Sequence, residues 1–150
     1  TGATALNVAA ANERLDAARA LLDAGSPPSD ADGDGVTALH WAARRGQASL
    51  VKLLLERGAD VNACDRDGRT PLIFNAFASS TESARLLLEH GASVNTASRV
   101  GRTALHLAAH FNNVTLMRML LNHGANAQAS DAYGRTPFDY CNFATRDALK

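Results

Sequence analysis

The apolar positions of this chain recur in a fixed frame. Leucine pairs stand at Leu21-Leu22, Leu54-Leu55, Leu87-Leu88 and Leu120-Leu121, each pair 33 residues after the last. A glycine follows each pair at one distance, at Gly25, Gly58, Gly91 and Gly124. A second glycine series, Gly2, Gly35, Gly68, Gly101 and Gly134, keeps the same spacing, and a threonine lies two residues beyond each: Thr4, Thr37, Thr70, Thr103 and Thr136. No insertion breaks the register. A fixed period of this length is the mark of a small supersecondary unit that buries its apolar face only by stacking on copies of itself.

The unit from Asp65 to Ala97 shows the local physics. Asp65-Arg66-Asp67-Gly68 reads as a turn, because Asp can bond the backbone two residues on and Gly accepts a positive φ. Thr70-Pro71 reads as a helix start, with Thr capping free N–H groups and Pro at the first helical position. The first helix is expected to run to about Ala78. A second helix starts at Ser80 or Thr81, with Ala84, Leu87 and Leu88 on one face. Gly91 ends it, and Ala92 to Asn95 lead out extended.

The first-helix segments read TALHWAA from Thr37, TPLIFNA from Thr70, TALHLAA from Thr103 and TPFDYCN from Thr136. The segments around the leucine pairs include LLLERGADVNA and LLLEHGASVNT. On these motifs the chain resembles the ankyrin-repeat family from end to end. The resemblance implies an all-α solenoid of stacked helix–turn–helix units with β-hairpin-like finger loops. It implies one repeat domain over residues 1–150, with repeats at about 1–31, 32–64, 65–97, 98–130 and 131–150. The first and last are read as incomplete, which suggests a piece of a longer protein.

The same resemblance implies a role in binding another protein, with partners lying across the finger tips and a concave groove lined by the first helices. The variable tip positions include Arg66, Arg69, Arg99, Arg102, Tyr133 and Arg135. Five arginines stand there against the single Asp67 in the last three fingers, which predicts a basic row suited to an acidic segment. The groove row, taken as the residue after the small pair of each first helix, reads Ala11, Arg44, Phe77, His110 and Phe143. Arg and Tyr tend to dominate interface energy. A further implication of the family is that Asn62 and Asn95 are candidates for asparaginyl hydroxylation, while Gln128 takes that place in the next unit. The histidine of the T-x-L-H motif, His40 or His106, is expected to bond the backbone of the neighbouring repeat.

Composition narrows the reading further. The chain has 150 residues, 46% hydrophobic and 20% charged, which fits a folded protein. Fifteen basic and fifteen acidic side chains cancel, so bulk charge favours neither nucleic acid nor a membrane surface. No apolar run approaches the ~20 residues of a membrane span. Two cysteines, Cys64 and Cys141, outside any CxxC pair, suggest a reducing, intracellular compartment rather than a disulfide or zinc framework.

Three motifs point to chemistry and fall short of it. Asp30, Asp32, Asp34 and Gly35 open like a calcium loop, but the acidic residue needed at its twelfth position is Trp41. His106 and His110 have zinc-helix spacing, but Leu107 stands where the first of them should be followed by glutamate and no third ligand is evident. Asn113-Val114-Thr115 is a glycosylation sequon that matters only outside the cell. Charge pairs at helical spacing (Asp16/Arg19, Arg19/Asp23, Lys52/Glu56, Glu82/Arg85, Arg85/Glu89) read as a solvated face. In the third unit Asn75 replaces a small residue and Ser79 replaces the glycine seen at Gly46. A buried amide there needs a partner or a shifted helix. The expectation is therefore a non-enzymatic protein-binding scaffold, with no cofactor and no metal, monomeric as a fragment. The alternatives are a spacer inside a larger protein and, less favoured, a nucleic-acid or anion binder.

Overall fold

The computed structural model describes residues 2–78 and 80–149. Among them ten helices follow one another in pairs. The first helices of the units are α1 (Ala5–Ala11), α3 (Ala38–Arg45), α5 (Pro71–Asn75), α7 (Ala104–His110) and α9 (Pro137–Tyr140). The second helices are α2 (Leu15–Asp23), α4 (Ala48–Glu56), α6 (Glu82–Glu89), α8 (Val114–Asn122) and α10 (Phe143–Ala148). Each unit packs on the next, α1 on α3, α3 on α5, α5 on α7 and α7 on α9. The expected all-α solenoid is the one observed.

Each first helix begins at the threonine of the repeat. Thr4, Thr37, Thr70, Thr103 and Thr136 all have extended backbone and cap the helix that follows. In α3 and α7 the cap is completed by a histidine. His40 Nδ1 accepts the Thr37 N–H at 3.0 Å, and His106 Nδ1 accepts the Thr103 N–H at 3.2 Å. A ring that accepts at Nδ1 carries its proton on Nε2. That proton is donated to the next unit: His40 to the Arg69 carbonyl at 2.9 Å, His106 to the Arg135 carbonyl at 3.1 Å. Asn7 does the same work in the first unit through its amide and the Val36 carbonyl, at 2.7 Å.

The core is a spine of leucines and alanines threaded through the stack. Leu6, Leu39, Leu50, Leu54, Leu72, Leu87, Leu105, Leu116 and Leu120 are buried. Full burial of such a side chain contributes ~1.5–3 kcal/mol. The alanines Ala9, Ala10, Ala42, Ala43, Ala108 and Ala109 let adjacent first helices approach closely. Between units the finger loops stack by backbone bonds, Arg66 N–H to the Asp34 carbonyl, Arg99 N–H to the Asp67 carbonyl and Ala132 N–H to the Val100 carbonyl. The only strand-like pairing among the described residues is an isolated bridge between Ala31 and Thr37.

The third unit departs from the frame. Helix α5 ends at Asn75 rather than near Ala78, and tight i to i+3 bonds close Ala76, Phe77 and Ala78. Asn75 is fully buried where units one, two and four have Ala9, Ala42 and Ala108, and its amide donates to the Ala43 carbonyl of the preceding unit at 3.0 Å. Ser83, also fully buried, stands where Leu50 and Leu116 stand in their units. One position of this helix pair is enlarged and another is reduced. The Asn75 Oδ1 and Ser83 Oγ atoms have no hydrogen-bond partner. Ser79 lies outside the described residues.

The fifth unit turns early. Helix α9 stops at Tyr140, and Asn142 caps α10 by accepting from Thr145 N–H. Asn112, one of two non-glycine residues with positive φ among the described residues, holds this turn by accepting from Asn142 N–H and the Thr145 hydroxyl. Phe143 therefore opens a second helix instead of ending a first one. Of the helical ion pairs expected, Lys52–Glu56, Glu82–Arg85 and Arg85–Glu89 form. Asp23 instead pairs across units with Arg57 at 2.7 Å.

Candidate functional site

Two surfaces carry the residues singled out by sequence, the finger tips and the face of the first helices. They meet between units two and three. A cavity of about 370 Å³ there is lined by Asp34, Asp65, Arg66 and Arg69 from the fingers and by Trp41, Arg44 and Phe74 from the helices. A second cavity of about 450 Å³ shares Trp41 and Arg44 and continues to Arg45 and Phe77. The two form a continuous groove that runs from the tips onto the helices.

The groove wall is an alternation of rings and guanidinium groups. The Arg44 guanidinium lies 5.6 Å from the Trp41 ring centre and 5.3 Å from that of Phe77. Cation–π contacts of this kind hold the charge over an apolar bed. Arg44 is exposed and makes no ion pair with any described residue. Phe77 packs against Phe111 at 5.3 Å, and both rings are 47% exposed. His110 stands edge-on to Phe111 at 5.1 Å and to Tyr140 at 6.1 Å. Arg44, Phe77 and His110 thus lie on one line of side chains, as their register implies.

Phe143 does not join them. The expectation that it lines the first-helix groove is corrected by the early turn of unit five, which moves it to the start of α10, 80% exposed. Tyr140 takes its place on the face. Trp41, Phe111 and Tyr140 escaped the sequence reading because one position per helix was followed, whereas a helical face exposes a neighbouring row as well. The aromatic character of Trp41, Phe74 and Tyr140, one period or more apart at a single register position, was the available signal.

The basic finger row is smaller than the count of arginines suggests. Arg69 is held by Asp65 at 2.7 Å and by Asp67 at 3.2 Å. Arg66 pairs with Asp34 at 3.1 Å, an exposed pair that carries little energy. Arg102 reaches forward to Asp131 at 3.5 Å and donates to the Tyr140 hydroxyl at 3.0 Å. The Tyr140 hydroxyl in turn donates to Asp131. Removal from water pushes the Asp131 carboxyl up. The bonds from Tyr140, from the Arg135 and Tyr133 N–H groups and from Arg102 outweigh that and hold it well below the usual carboxylate range. Arg135 lies over the Tyr140 ring at 5.7 Å and is exposed, Arg99 is exposed with no side-chain partner among the described residues, and Tyr133 is 68% exposed beside Arg102. Of the arginines on the fingers and in the groove row, Arg99, Arg135 and Arg44 are the ones without an ion pair to any described residue.

Asn62 and Asn95 occupy equivalent clamps. Asn62 donates to the Gly91 carbonyl at 3.1 Å and accepts from Ser93 N–H at 2.8 Å. Asn95 donates to the Gly124 carbonyl at 3.0 Å and accepts from Asn126 N–H at 2.7 Å. Both amides are engaged through oxygen and nitrogen by the next unit. Among the described residues no cluster of His, Cys, Asp or Glu is placed to hold a metal ion, and no helix is long and apolar enough to cross a membrane. Asp32 Oδ1, from the calcium-like segment, accepts from Asp34 and Val36 N–H and so builds the turn.

Comparison with known proteins agrees with this geometry. Residues 6–98 match a family model described as ankyrin repeats (3 copies), and residues 87–141 match one described as ankyrin repeats (many copies). No curated protein matches the chain.

Proposed function

The chain belongs to the ankyrin-repeat family, and from that premise we propose that it is a non-catalytic scaffold gripping a segment of another protein along its first-helix face and finger tips. Ankyrin repeats in general are protein–protein interaction modules. The observation that carries the finer reading is the exposed Phe77–Phe111 pair beside the unpaired Arg44 guanidinium. Large apolar side chains exposed together and rimmed by polar groups mark interaction surfaces. An arginine already spread over aromatic rings gains most from a carboxylate that arrives with its own apolar neighbour. The partner segment is accordingly one in which an acidic residue lies beside an apolar one.

The test is capture of a partner with the whole chain, followed by comparison with Arg44→Glu and with the double variant Phe77→Ala/Phe111→Ala. These side chains are exposed, so circular dichroism should show the fold intact. Loss of a central aromatic or arginine anchor costs about 2 kcal/mol, close to thirtyfold in affinity. A partner whose affinity is the same for all three proteins removes the groove from the reading.

A further inference from the structure

The chain is neutral as a whole, but its finger row is not uniform. The finger at residues 30–36 carries Asp30, Asp32 and Asp34 and no cation. The finger at 65–69 holds two aspartates and two arginines that pair among themselves and with Asp34. The finger at 98–102 carries Arg99 and Arg102 and no acid, because Ser98 stands where its neighbours have Asp65 and Asp131. In the finger at 131–135 the shielded Asp131 is answered by Arg102, which leaves Arg135 outward. Stacking of the tips by backbone bonds places these fingers in one ordered line. The line runs from negative, through self-neutralised, to positive.

We propose that this row takes a bipolar, extended segment of a partner protein in a fixed direction. The segment's basic end lies against Asp30 and Asp34, its acidic end lies against Arg99 and Arg135, and an apolar side chain between them rests on Trp41 in the cavity that it shares with the finger residues Arg66 and Arg69. This rests on the scaffold reading and names the charge order of its partner. The acidic tip makes an all-acidic ligand a poor match and disfavours a nucleic acid, since either would meet Asp30 and Asp34 with like charge. The Asp34–Arg66 pair is exposed on both sides, so a ligand cation can share it at small cost. Packed helices lie ~8–10 Å apart, so two steps from the acidic to the basic finger span about 20 Å. An extended strand covers that in about six residues. The charge blocks of the partner are therefore separated by about that length.

The probe is a pair of synthetic peptides of one composition. One carries a block of three lysines and a block of three glutamates separated by six residues that include a leucine. The other interleaves the same charges. Both are titrated at low salt into the whole chain, with backbone amides followed by NMR. The segregated peptide should bind at least about tenfold tighter. A spin label on its acidic end should broaden amides near Arg99 and Arg135, and one on its basic end those near Asp30 and Asp34. Asp30→Lys/Asp34→Lys and Arg99→Glu/Arg135→Glu should each abolish the preference. Equal binding of both peptides overturns the proposal, as does broadening of both ends by either label, or no binding by either peptide. The scaffold reading fails separately, if a captured partner ignores Arg44, Phe77 and Phe111. If that partner depends on them but not on Asp30 and Asp34, the scaffold stands and the bipolar track falls.

Discussion

The joint between units three and four and the joint between units four and five occupy equal places in the repeat, yet three equivalent positions are used differently. Ile73, in the earlier joint, offers no hydrogen bond to the next finger, whereas His106 in the later one bonds the Arg135 carbonyl. Arg69 pairs within its own finger, whereas Arg102 crosses to Asp131 and Tyr140. A side chain at Gly68 would meet ordinary contacts, the nearest the Ala97 carbonyl at 3.6 Å, whereas one at Gly101 would sit 2.9 Å from the Asp131 Cα. The later joint is locked by specific contacts. The earlier one relies on the leucine spine, the Asn95 clamp and the exposed Phe77–Phe111 ring pair.

The largest break in this contrast should come from glycine replacement. Gly101 has φ +74 and Gly68 has φ +72, so alanine is strained at both. Only Gly101→Ala also drives a Cβ into the next finger. Urea unfolding should show a loss of about 3 kcal/mol for Gly101→Ala against about 1 kcal/mol for Gly68→Ala. Equal losses would mean that the fingers are not in close contact at the later joint.

His106→Ile copies the earlier joint onto the later one and should cost about 2 kcal/mol, since it leaves the Thr103 N–H without the ring that accepts its proton. Burial lowers the pKa of both His106 and His40, against the opposing pull of their carbonyl partners on the next unit. Their contribution to stability is therefore complete above the unfolded value of 6.5 and is lost as pH falls below it toward the folded values. Hydrogen exchange at pH 7.5 and 5.5 should show acid opening the joints after units two and four more than the joint after unit three. His106→Ile should flatten part of the dependence of stability on pH.

Smaller effects separate the two arginines. Arg69→Met should cost about 1.5 kcal/mol because it strips two contacts, at 2.8 and 2.7 Å, from the shielded Asp65 carboxylate, and Arg102→Met about 1 kcal/mol because the equally shielded Asp131 keeps the Tyr140 hydroxyl. Smallest of all, Ser98→Asp gives the fourth finger the acid its neighbours have. Stability should move by less than about 0.5 kcal/mol, while the basic tip loses charge and the segregated peptide loses its preference. An unchanged preference would show that Arg99 and Arg135 suffice without that gap.

The period, the threonine caps and the glycine turns were legible in the sequence because each is decided within a few residues. The bond from the repeat histidine to the next unit followed from the family resemblance. Side-chain partnership across units was not legible. Asp65 and Asp131 build their turns through one oxygen, and the second captures an arginine, Arg69 of the same finger for Asp65 and Arg102 of the preceding finger for Asp131, a choice that only the stacked fingers decide. The excess of five tip arginines therefore shrank to Arg99 and Arg135, with Arg44 joining them from the helix face. Phe143 misled because a constant period was assumed through a unit whose first helix is cut short by the Asn112–Asn142 turn. The five-residue α5 ends at Asn75, whose side-chain amide donates to the Ala43 carbonyl.

The exchange at Asn75 and Ser83 also bears on how such a chain changes over generations. A regular unit that acquired asparagine first would have had to force an amide into a slot sized for a methyl group. One that acquired serine first would have carried a hollow where leucine had been. Restoring Leu at position 83 by itself, as a repair guided by the neighbouring repeats would suggest, should fail unless Asn75 returns to alanine with it.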